Sequence, residues 1–380
     1  MTIRLLVCLA VVLMAAAGNT QTTINPDISA IGDFRLFGHN DESREAEAEK
    51  FNLADPELEL TIGGYLNPYV RADAVIGWHG EHNAEIEEVH ATVLRGLPFN
   101  TNLRVGRYLL EFGRLNPVHP HAYSFIQRPL PHEAFFGAEG LSDMAVRASF
   151  LLPTGDAYTE LMAGLLKGDV FEAHMHDHED EAEAEAEEHG EDSDRRDPGF
   201  FGRVTTSLAV ADHAELALGG SVVNGVYAEH HHEPDETVEQ LRAWLVGGDL
   251  KYKYRPSRYS SVQIELEALM RRTEQAEGDD LTSYGGYGYL DYRFLQKYNV
   301  GGIFEYVRQK EAHEHAEETE PVIHRADTWR AGIFAGFAPV EETSLVRLAG
   351  HWTKADERDG FWELTLQFVI SLGPHKPHNF

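Results

Sequence analysis

The chain has 380 residues, of which 63 are acidic and 32 are basic, and its formal net charge is -31 at pH 7. This charge disfavours a nucleic-acid partner, whose phosphates would be repelled, and favours cations. The one cysteine, Cys8, lies in the N-terminal apolar run, so cysteine chemistry is excluded for the mature chain.

The N-terminus reads as a secretory signal peptide over residues 1–20. Arg4 supplies the positive charge, residues 5–15 are apolar, and Ala15, Ala16 and Ala17 offer small residues for cleavage. A membrane anchor is the alternative, but the apolar run is shorter than the roughly 20 residues of a spanning helix. No later stretch is long and apolar enough for such a helix, so a membrane form of this protein requires a closed β-barrel.

Apolar and polar residues alternate repeatedly from residue 58 to residue 372, and a period of two predicts β-strands. The last run is the clearest, with one apolar face and one polar face. The apolar face consists of Trp362, Leu364, Leu366, Phe368, Ile370 and Leu372, and the other face carries Glu363, Thr365, Gln367 and Ser371.

Short and long connections alternate between these runs. Seven short and eight long ones predict an all-β, antiparallel up-and-down transmembrane barrel of about sixteen strands over residues 26–373. Short turns then face the periplasm and long loops face outward. The long connections are residues 38–50, 80–83, 113–139, 169–198, 229–236, 274–280, 310–327 and 355–360. A soluble all-β protein, with its apolar faces in a core, is the alternative.

With the strands placed, the chain resembles porin-like outer-membrane barrels related to the phosphate-selective porin family. The likeness is carried by residues 25–29, 32–34, 106–108, 111–114 and 135–137, and by the last strand and Phe380. It implies a bacterial outer-membrane location. Residues 374–380 form a C-terminal tail with two prolines, which cannot continue a strand, so Phe380 departs from the usual assembly signal.

The opening segment and the His-rich loops are also similar to those of barrels described as zinc-regulated outer-membrane receptors. This likeness suggests metal uptake. An energised receptor resembles a 22-stranded barrel with an N-terminal plug, however, and the mature chain is too short for both. The metal is therefore kept as an expectation and the receptor mechanism is not.

The third long connection, residues 113–139, is predicted to fold into the barrel and narrow the pore. Its apolar residues would pack on the wall, its prolines would stiffen it, and its charged residues would face the lumen. The alternative is a loop folded over the rim. The candidate pore residues are Glu111, Arg114, His119, His121, Arg128, His132 and Glu133, with Arg147, Arg203 and Arg347 on the wall.

The outer loops are rich in histidine and acid, above all residues 171–198. Imidazoles suit Zn, Cu and Ni, and carboxylates add charge, so these loops are predicted to gather a divalent transition-metal ion. Of the 21 histidines, His213 is the one in a predicted periplasmic turn. An acidic surface that binds Ca or Mg is the alternative. The candidate ligands are His79, His82, His174, His176, His178, His189, His230, His231, His232, His313 and His315.

The sequence thus predicts a passive channel for small solutes, with Zn²⁺ as transported or loop-bound ion and with no tightly bound cofactor. The rivals are a porin for anions or small nutrients, a non-conducting adhesin or metal sensor, and an outer-membrane enzyme. An enzyme is not expected, because Ser142-Asp143 is a common pair and no Gly-x-Ser-x-Gly is present. The expected partners are outer-membrane lipid and lipopolysaccharide, and a homotrimer follows from fold analogy.

Overall fold

The computed structural model describes residues 26–44, 48, 50–80, 84–171, 197–232, 237–276, 278–313, 322–340, 343–356 and 358–373. Side chains are described for these residues except 228–232, 237–239, 311–313 and 322. The predicted signal peptide, most of the acidic loop at 171–198 and the tail at 374–380 lie outside the described residues.

Strands make up nearly all of the regular structure, in the order expected from the alternation. They are β1 (Asp27–His39), β2 (Phe51–Leu53), β3 (Glu57–Asn67), β4 (Val70–His79), β5 (Glu85–Val93), β6 (Asn102–Leu109), β7 (Ser142–Leu152), β8 (Tyr158–Leu166), β9 (Gly199–Ala211), β10 (Ala214–His232), β11 (Thr237–Ser257), β12 (Ser260–Thr273), β13 (Leu281–Phe294), β14 (Tyr298–His313), β15 (Val322–Val340), β16 (Ser344–Ala355) and β17 (Phe361–Leu372). One short α-helix, Leu130–Phe136, lies between β6 and β7. None of the helices in the described ranges is long and apolar enough to cross a membrane.

The sheet closes on itself through antiparallel pairs. Each strand from β3 to β16 pairs with the next in sequence, and β1 pairs with both β3 and β17. The short β2 extends the line of β3, because Leu53 pairs with Leu36 and the Ala54 amide donates to the Arg35 carbonyl at 2.9 Å. Pro56, which lacks an amide hydrogen, follows this break. The two strands fill one barrel position, and the predicted closed barrel of sixteen strands is confirmed.

The distribution of polar and apolar residues is the reverse of that in a soluble protein. Phe304 is 56 % exposed on the outer face, whereas the next residue, Glu305, is 1 % exposed inside the barrel. Leu290 and Asp291 repeat this contrast at 46 % and 1 %. The apolar side chains therefore form the outer surface, as a lipid-facing barrel requires. The soluble all-β alternative is wrong, because it needs the apolar face to be the buried one.

Two predicted loops are shorter than expected. The connection at 229–236 was predicted to contain His230, His231 and His232, but these residues end β10 and pair with residues 237–239 of β11. The connection at 310–327 likewise loses residues to β14 and β15, since His313 pairs with Val322. Backbone hydrogen bonds can extend a β-hairpin beyond the apolar band of the barrel, where apolar and polar residues no longer need to alternate. The loop boundaries predicted from residue polarity alone were therefore wrong.

Candidate functional site

The segment between β6 and β7, residues 110–141, lies inside the barrel and packs on its wall. Phe112, Phe135 and Phe136 belong to one buried apolar cluster, and Leu115, Tyr123, Phe125 and Ile126 belong to a second. The wall supplies apolar inward-facing residues at both places: Val223, Leu245, Leu269 and Val307 in the first cluster, and Tyr287, Tyr289, Ile303, Phe334 and Ala349 in the second. Burial of these side chains holds the segment within the lumen.

Arg347 of β16 fastens the segment at its middle. Its guanidinium donates to the Tyr123 carbonyl at 2.7 Å and also to the carbonyls of His121 and Phe125. The side chain is 1 % exposed. The three carbonyl oxygens compensate the buried guanidinium charge, and the guanidinium gives each of these carbonyls a hydrogen-bond donor.

Arg330 and Glu305 make a second attachment, next to the helix. Arg330 pairs with Glu305 at 2.8 Å and donates to the Arg128 carbonyl at 2.6 Å. The Leu130 amide donates to the same Glu305 carboxylate at 2.7 Å. Strand side chains therefore satisfy the backbone of the segment where it starts its helix.

Glu267 of β12 forms a third attachment to the inward segment. Its carboxylate contacts His132 Nε2 at 3.2 Å and accepts from the Tyr287 hydroxyl at 2.9 Å and the Arg114 amide at 3.3 Å. Gly113 comes so close, with φ of 59°, that a Cβ there would lie 2.1 Å from a Glu267 oxygen. Only glycine suits this approach.

The other predicted pore residues form ion pairs along the wall. Arg114 and Arg203 both bind Asp249, each at 2.7 Å. Glu111 pairs with Arg147 at 2.6 Å and with Arg104 at 2.9 Å. These pairs link Glu111 and Arg114 of the inward segment to β6, β7 and β11, link β9 to β11, and leave the lumen polar.

Three adjoining cavities lie beside the inward segment. The outer cavity, at the long-loop end, has a volume of about 600 Å³, the middle cavity about 620 Å³, and the inner cavity, at the short-turn end, about 320 Å³. The outer and middle cavities share Glu59, His119 and His121, and the middle and inner cavities share Lys253, among others. Together they extend from the long-loop end of the barrel to the short-turn end, and we call this row of cavities the passage.

The predicted pore residues distribute unevenly along this passage. Among the described residues, Arg128 and Glu133 line the outer cavity, Glu111, Arg114 and Arg203 the middle one, and Arg347 the inner one; His119 lines the outer and middle cavities, and His121 all three. His132 and Arg147 line none of these cavities, and their contacts hold the segment and the wall instead.

The outer and middle cavities meet at a group that we call the junction cluster: Glu59, Glu87, Glu88, His119 and His121. His119 Nδ1 lies 3.1 Å from Glu59 and 3.3 Å from Glu87, and its Nε2 lies 3.0 Å from Glu88. His121 stacks on His119 and lies 3.4 Å from Glu59. Burial lowers the pKa of His119, but hydrogen bonds and charge from the three carboxylates outweigh it and raise that pKa to about 10.

The inner cavity has the opposite charge. Six lysine and arginine residues line it, with no aspartate or glutamate among its described lining residues. Lys253 makes no hydrogen bond or ion pair with any described residue, and Arg258 stacks over Tyr259 at 5.5 Å. The set is Lys253, Arg255, Arg258, Arg293, Lys297 and Arg347. The passage is therefore mainly acidic with histidine at the outer cavity, of mixed charge in the middle, and basic at its inner end.

Most of the histidines predicted as loop ligands lie where the structure gives no side-chain description. His82, His174, His176, His178, His189 and His315 are outside the described residues, and the strand residues His230, His231, His232 and His313 have no described side chains. His79 is described, and its Nε2 lies 3.3 Å from Glu87 and 3.8 Å from Glu139. The predicted capture of metal by the loops stays a prediction.

Comparison with known structures gives the architecture a context. An anion-selective porin from Comamonas acidovorans superposes with a TM-score of 0.57 at 9 % identity, covering 92 % of this chain and 99 % of that one. The trimer form of OmpT, an outer membrane protein of Vibrio cholerae, gives 0.56 at 9 % identity over 92 % and 100 %. The outer membrane channel DcaP of Acinetobacter baumannii gives 0.52 at 10 % identity over 93 % and 99 %. The barrel has the porin fold.

Sequence relatives say less about function. An uncharacterized protein of Aquifex aeolicus (strain VF5) is 27 % identical over 395 aligned residues, covering 95 % of this chain and 81 % of that protein. No family model matches the chain. The closed barrel with an apolar exterior and the porin fold place the protein in the bacterial outer membrane.

The side chains of Ser142 and Asp143, the pair considered for an enzyme, do not face each other. Ser142 and Asp143 are consecutive on β7, so their side chains point to opposite faces of the sheet. Asp143 is buried and accepts the Gly168 amide at 3.0 Å. This pair is not arranged as a nucleophile and its base.

Gly247 of β11 provides a direct test of how the inward segment is seated. A Cβ there would lie 2.8 Å from the Phe112 ring, so Gly247→Val should force this ring off the wall. We expect a loss of about 1–3 kcal/mol in the free energy of unfolding, as in other overpacked cores, together with a larger open-channel current.

The neighbouring Gly248→Val is the matched control, because its nearest neighbour for a Cβ is a carbonyl oxygen at 4.0 Å. Urea unfolding in lipid vesicles and single-channel recording compare the two. Equal effects of the two substitutions would show that Gly247 does not seat the segment.

Proposed function

We propose that this protein is a passive channel that carries small solutes across the outer membrane and prefers small anions at its inner end. The observation that carries the proposal is the row of three adjoining cavities through the barrel, beside an inward segment fixed by buried arginines. Diffusion through a wet lumen needs no catalytic group and no energised plug.

The preference for anions rests on the inner cavity. It is the smallest of the three, at about 320 Å³, and its described lining carries six cationic residues and no carboxylate. Every solute on this route passes these charges, whereas the larger outer cavity offers more room and more screening by salt. The anion-selective porin of Comamonas acidovorans has a similar fold, which makes such a preference compatible with the architecture. A phosphate-selective role is one form of this proposal.

Selectivity measured as a zero-current potential tests the proposal. In a KCl gradient the parent protein in planar bilayers should favour chloride. A unit charge about 8 Å from a passing ion contributes about 0.5 kcal/mol in water, so reversing it changes the energy by about 1 kcal/mol. The change disfavours chloride and favours potassium by this amount each, so we expect Lys253→Glu and Arg258→Glu each to lower the chloride-to-potassium permeability ratio about thirty-fold.

Arg272→Glu is the control for these variants. It changes the net charge by the same amount, but Arg272 is exposed and pairs with Asp280 at 2.8 Å, away from the passage. A parent that prefers potassium, or an equal shift in the Arg272 variant, would contradict an anion filter at the inner cavity.

Divalent metal ions are the second candidate solute. The outer cavity is lined by seven carboxylates and three histidines, which are Asp33, Glu57, Glu59, Glu85, Glu87, Glu133, Glu139, His79, His119 and His121. Such a mouth concentrates cations, and the effect weakens with salt. Potassium preference in the test above favours this candidate, and a protein without conductance favours an adhesin or sensor.

A homotrimer also remains a proposal, supported by the trimer form of OmpT.

A further inference from the structure

The junction cluster brings metal-ligating atoms together from three parts of the chain. Glu59 comes from β3, Glu87 from β5 and His119 from the inward segment, and one ligand atom of each lies within 4.8 Å of the other two. They are separated widely in sequence, so the fold itself creates this arrangement. Hydrogen bonds from Arg347 and Arg330 also fix the inward segment at Tyr123 and Arg128, beyond the cluster.

The chemistry of the three groups suits a divalent transition-metal cation. An imidazole nitrogen with two carboxylate oxygens is a set that binds zinc, and water supplies a fourth ligand in an open site. Glu88 lies beside His119 and His121 lies beside Glu59, so further donors are at hand. Glu59 and His119 line both the outer and the middle cavity, which gives a cation an aqueous route to the cluster.

We infer that Glu59, Glu87 and His119 form a binding site for one divalent transition-metal cation inside the barrel, where the outer and middle cavities meet. A cation bound there ties the inward segment to β3 and β5. It also adds positive charge at a shared wall of the passage, and thereby alters the ion current. The site does not depend on which solute the passage carries.

A second group of potential metal ligands lines the outer cavity, at the long-loop end of the passage. His79, Glu87 and Glu139 also have ligand atoms within 4.8 Å of one another, and Glu87 belongs to both groups. Glu139 is well exposed, with 59 % of its side chain accessible, and lies in the outer cavity. A cation that enters from the long-loop end thus meets the outer group first and reaches the site by exchange at Glu87.

A simpler account of the cluster is an ion pair without metal, in which a protonated His119 neutralises part of the acidic group. The two accounts differ in what zinc does to the protein. In the ion-pair account, zinc leaves the current unchanged or acts through residues elsewhere. In the metal-site account, zinc acts through His119 and Glu59.

The test uses the full chain and zinc chloride, with single-channel current and bound zinc by equilibrium dialysis as readouts. We expect micromolar zinc to change the parent current. His119→Gln and Glu59→Gln should raise the zinc concentration for half of this effect at least about ten-fold, since even the loss of an outer-shell partner of a metal ligand costs this much. Each should also bind one zinc fewer per chain.

His213→Asn is the matched control, because it removes one imidazole from a short turn where φ is 65°, a conformation that asparagine tolerates. It should keep the full response of the parent. Glu139→Gln, which alters the outer group alone, should slow the onset of the zinc effect and leave its midpoint unchanged. Heat-modifiable electrophoresis confirms that each variant is folded.

A parent current insensitive to zinc, or an unchanged zinc response in both His119→Gln and Glu59→Gln, overturns the site. Zinc bound by the acidic outer loops produces the second of these outcomes. Conductance and anion preference without zinc are recorded in the same membranes, so failure of the metal site is distinct from failure of the channel proposal. If no variant conducts, dialysis decides: equal zinc in His119→Gln and His213→Asn overturns the site, and one fewer supports it.

Discussion

Channels of the Arg347→Met variant are expected to switch between the parent current and a much larger one. The substitution keeps side-chain length but removes the donors that bind the carbonyls of His121, Tyr123 and Phe125. Each carbonyl left buried without a partner costs about 1–3 kcal/mol. The inward segment then spends part of its time away from the wall, and the passage widens. Single-channel recording measures the two levels directly.

Arg71→Met is the control for this prediction. Arg71 is also a lumen arginine, but it pairs with Asp73 of its own strand at 2.9 Å and stacks over Tyr65. Its loss should leave the current at one level. An Arg347→Met channel that is folded and keeps the parent current would show that packing alone holds the segment in place.

The inward position of the segment could be predicted from the sequence, but the way it is held could not. Its place as the third long connection and its apolar residues, such as Phe125 and Phe135, indicated that it packs inside. The complementary signal lies on the wall, where inward positions that should be polar are Val223, Leu245 and Phe334. Sequence reasoning missed it, because an apolar residue on a barrel strand is first assigned to the lipid face.

The strand count was predictable for a physical reason. A lipid-facing strand must present an apolar residue at every second position, so each crossing of the membrane leaves a pattern of period two. Beyond the membrane this constraint ends, and β10 and β11 continue as a polar hairpin through His230 to His232. The barrel was therefore predicted correctly and the loop boundaries were not.

The junction cluster shows the corresponding limit for the site. His119 and His121 were predicted as pore residues from the composition of their segment. Their partners Glu59 and Glu87 lie on two other strands, β3 and β5. In the sequence, Glu59 is one polar residue of an alternating run and carries no further signal. The wall residues that contact His119 are determined by how the inward segment packs inside the barrel. This packing depends on many weak contacts that no short sequence motif encodes.

Two substitutions at adjacent positions of β9 should have very different effects on stability. Val204 is 47 % exposed on the outer face, whereas Thr205 lines the middle cavity. An arginine in place of an outward residue near mid-membrane must enter lipid, at a cost of about 2–4 kcal/mol. We therefore expect Val204→Arg to lower the free energy of unfolding by about this amount, and Thr205→Arg to change it little, because its guanidinium stays in the wet lumen.

Reversible urea unfolding in lipid vesicles measures both variants. Thr205→Arg adds positive charge to the passage and should shift the zero-current potential further toward anions, an effect absent from Val204→Arg. The pair thus separates the two faces of one strand by two independent quantities, stability for the lipid face and ion selectivity for the lumen. If the stabilities change in the opposite order, the assignment of the apolar face to lipid is wrong, and with it the passage through the barrel.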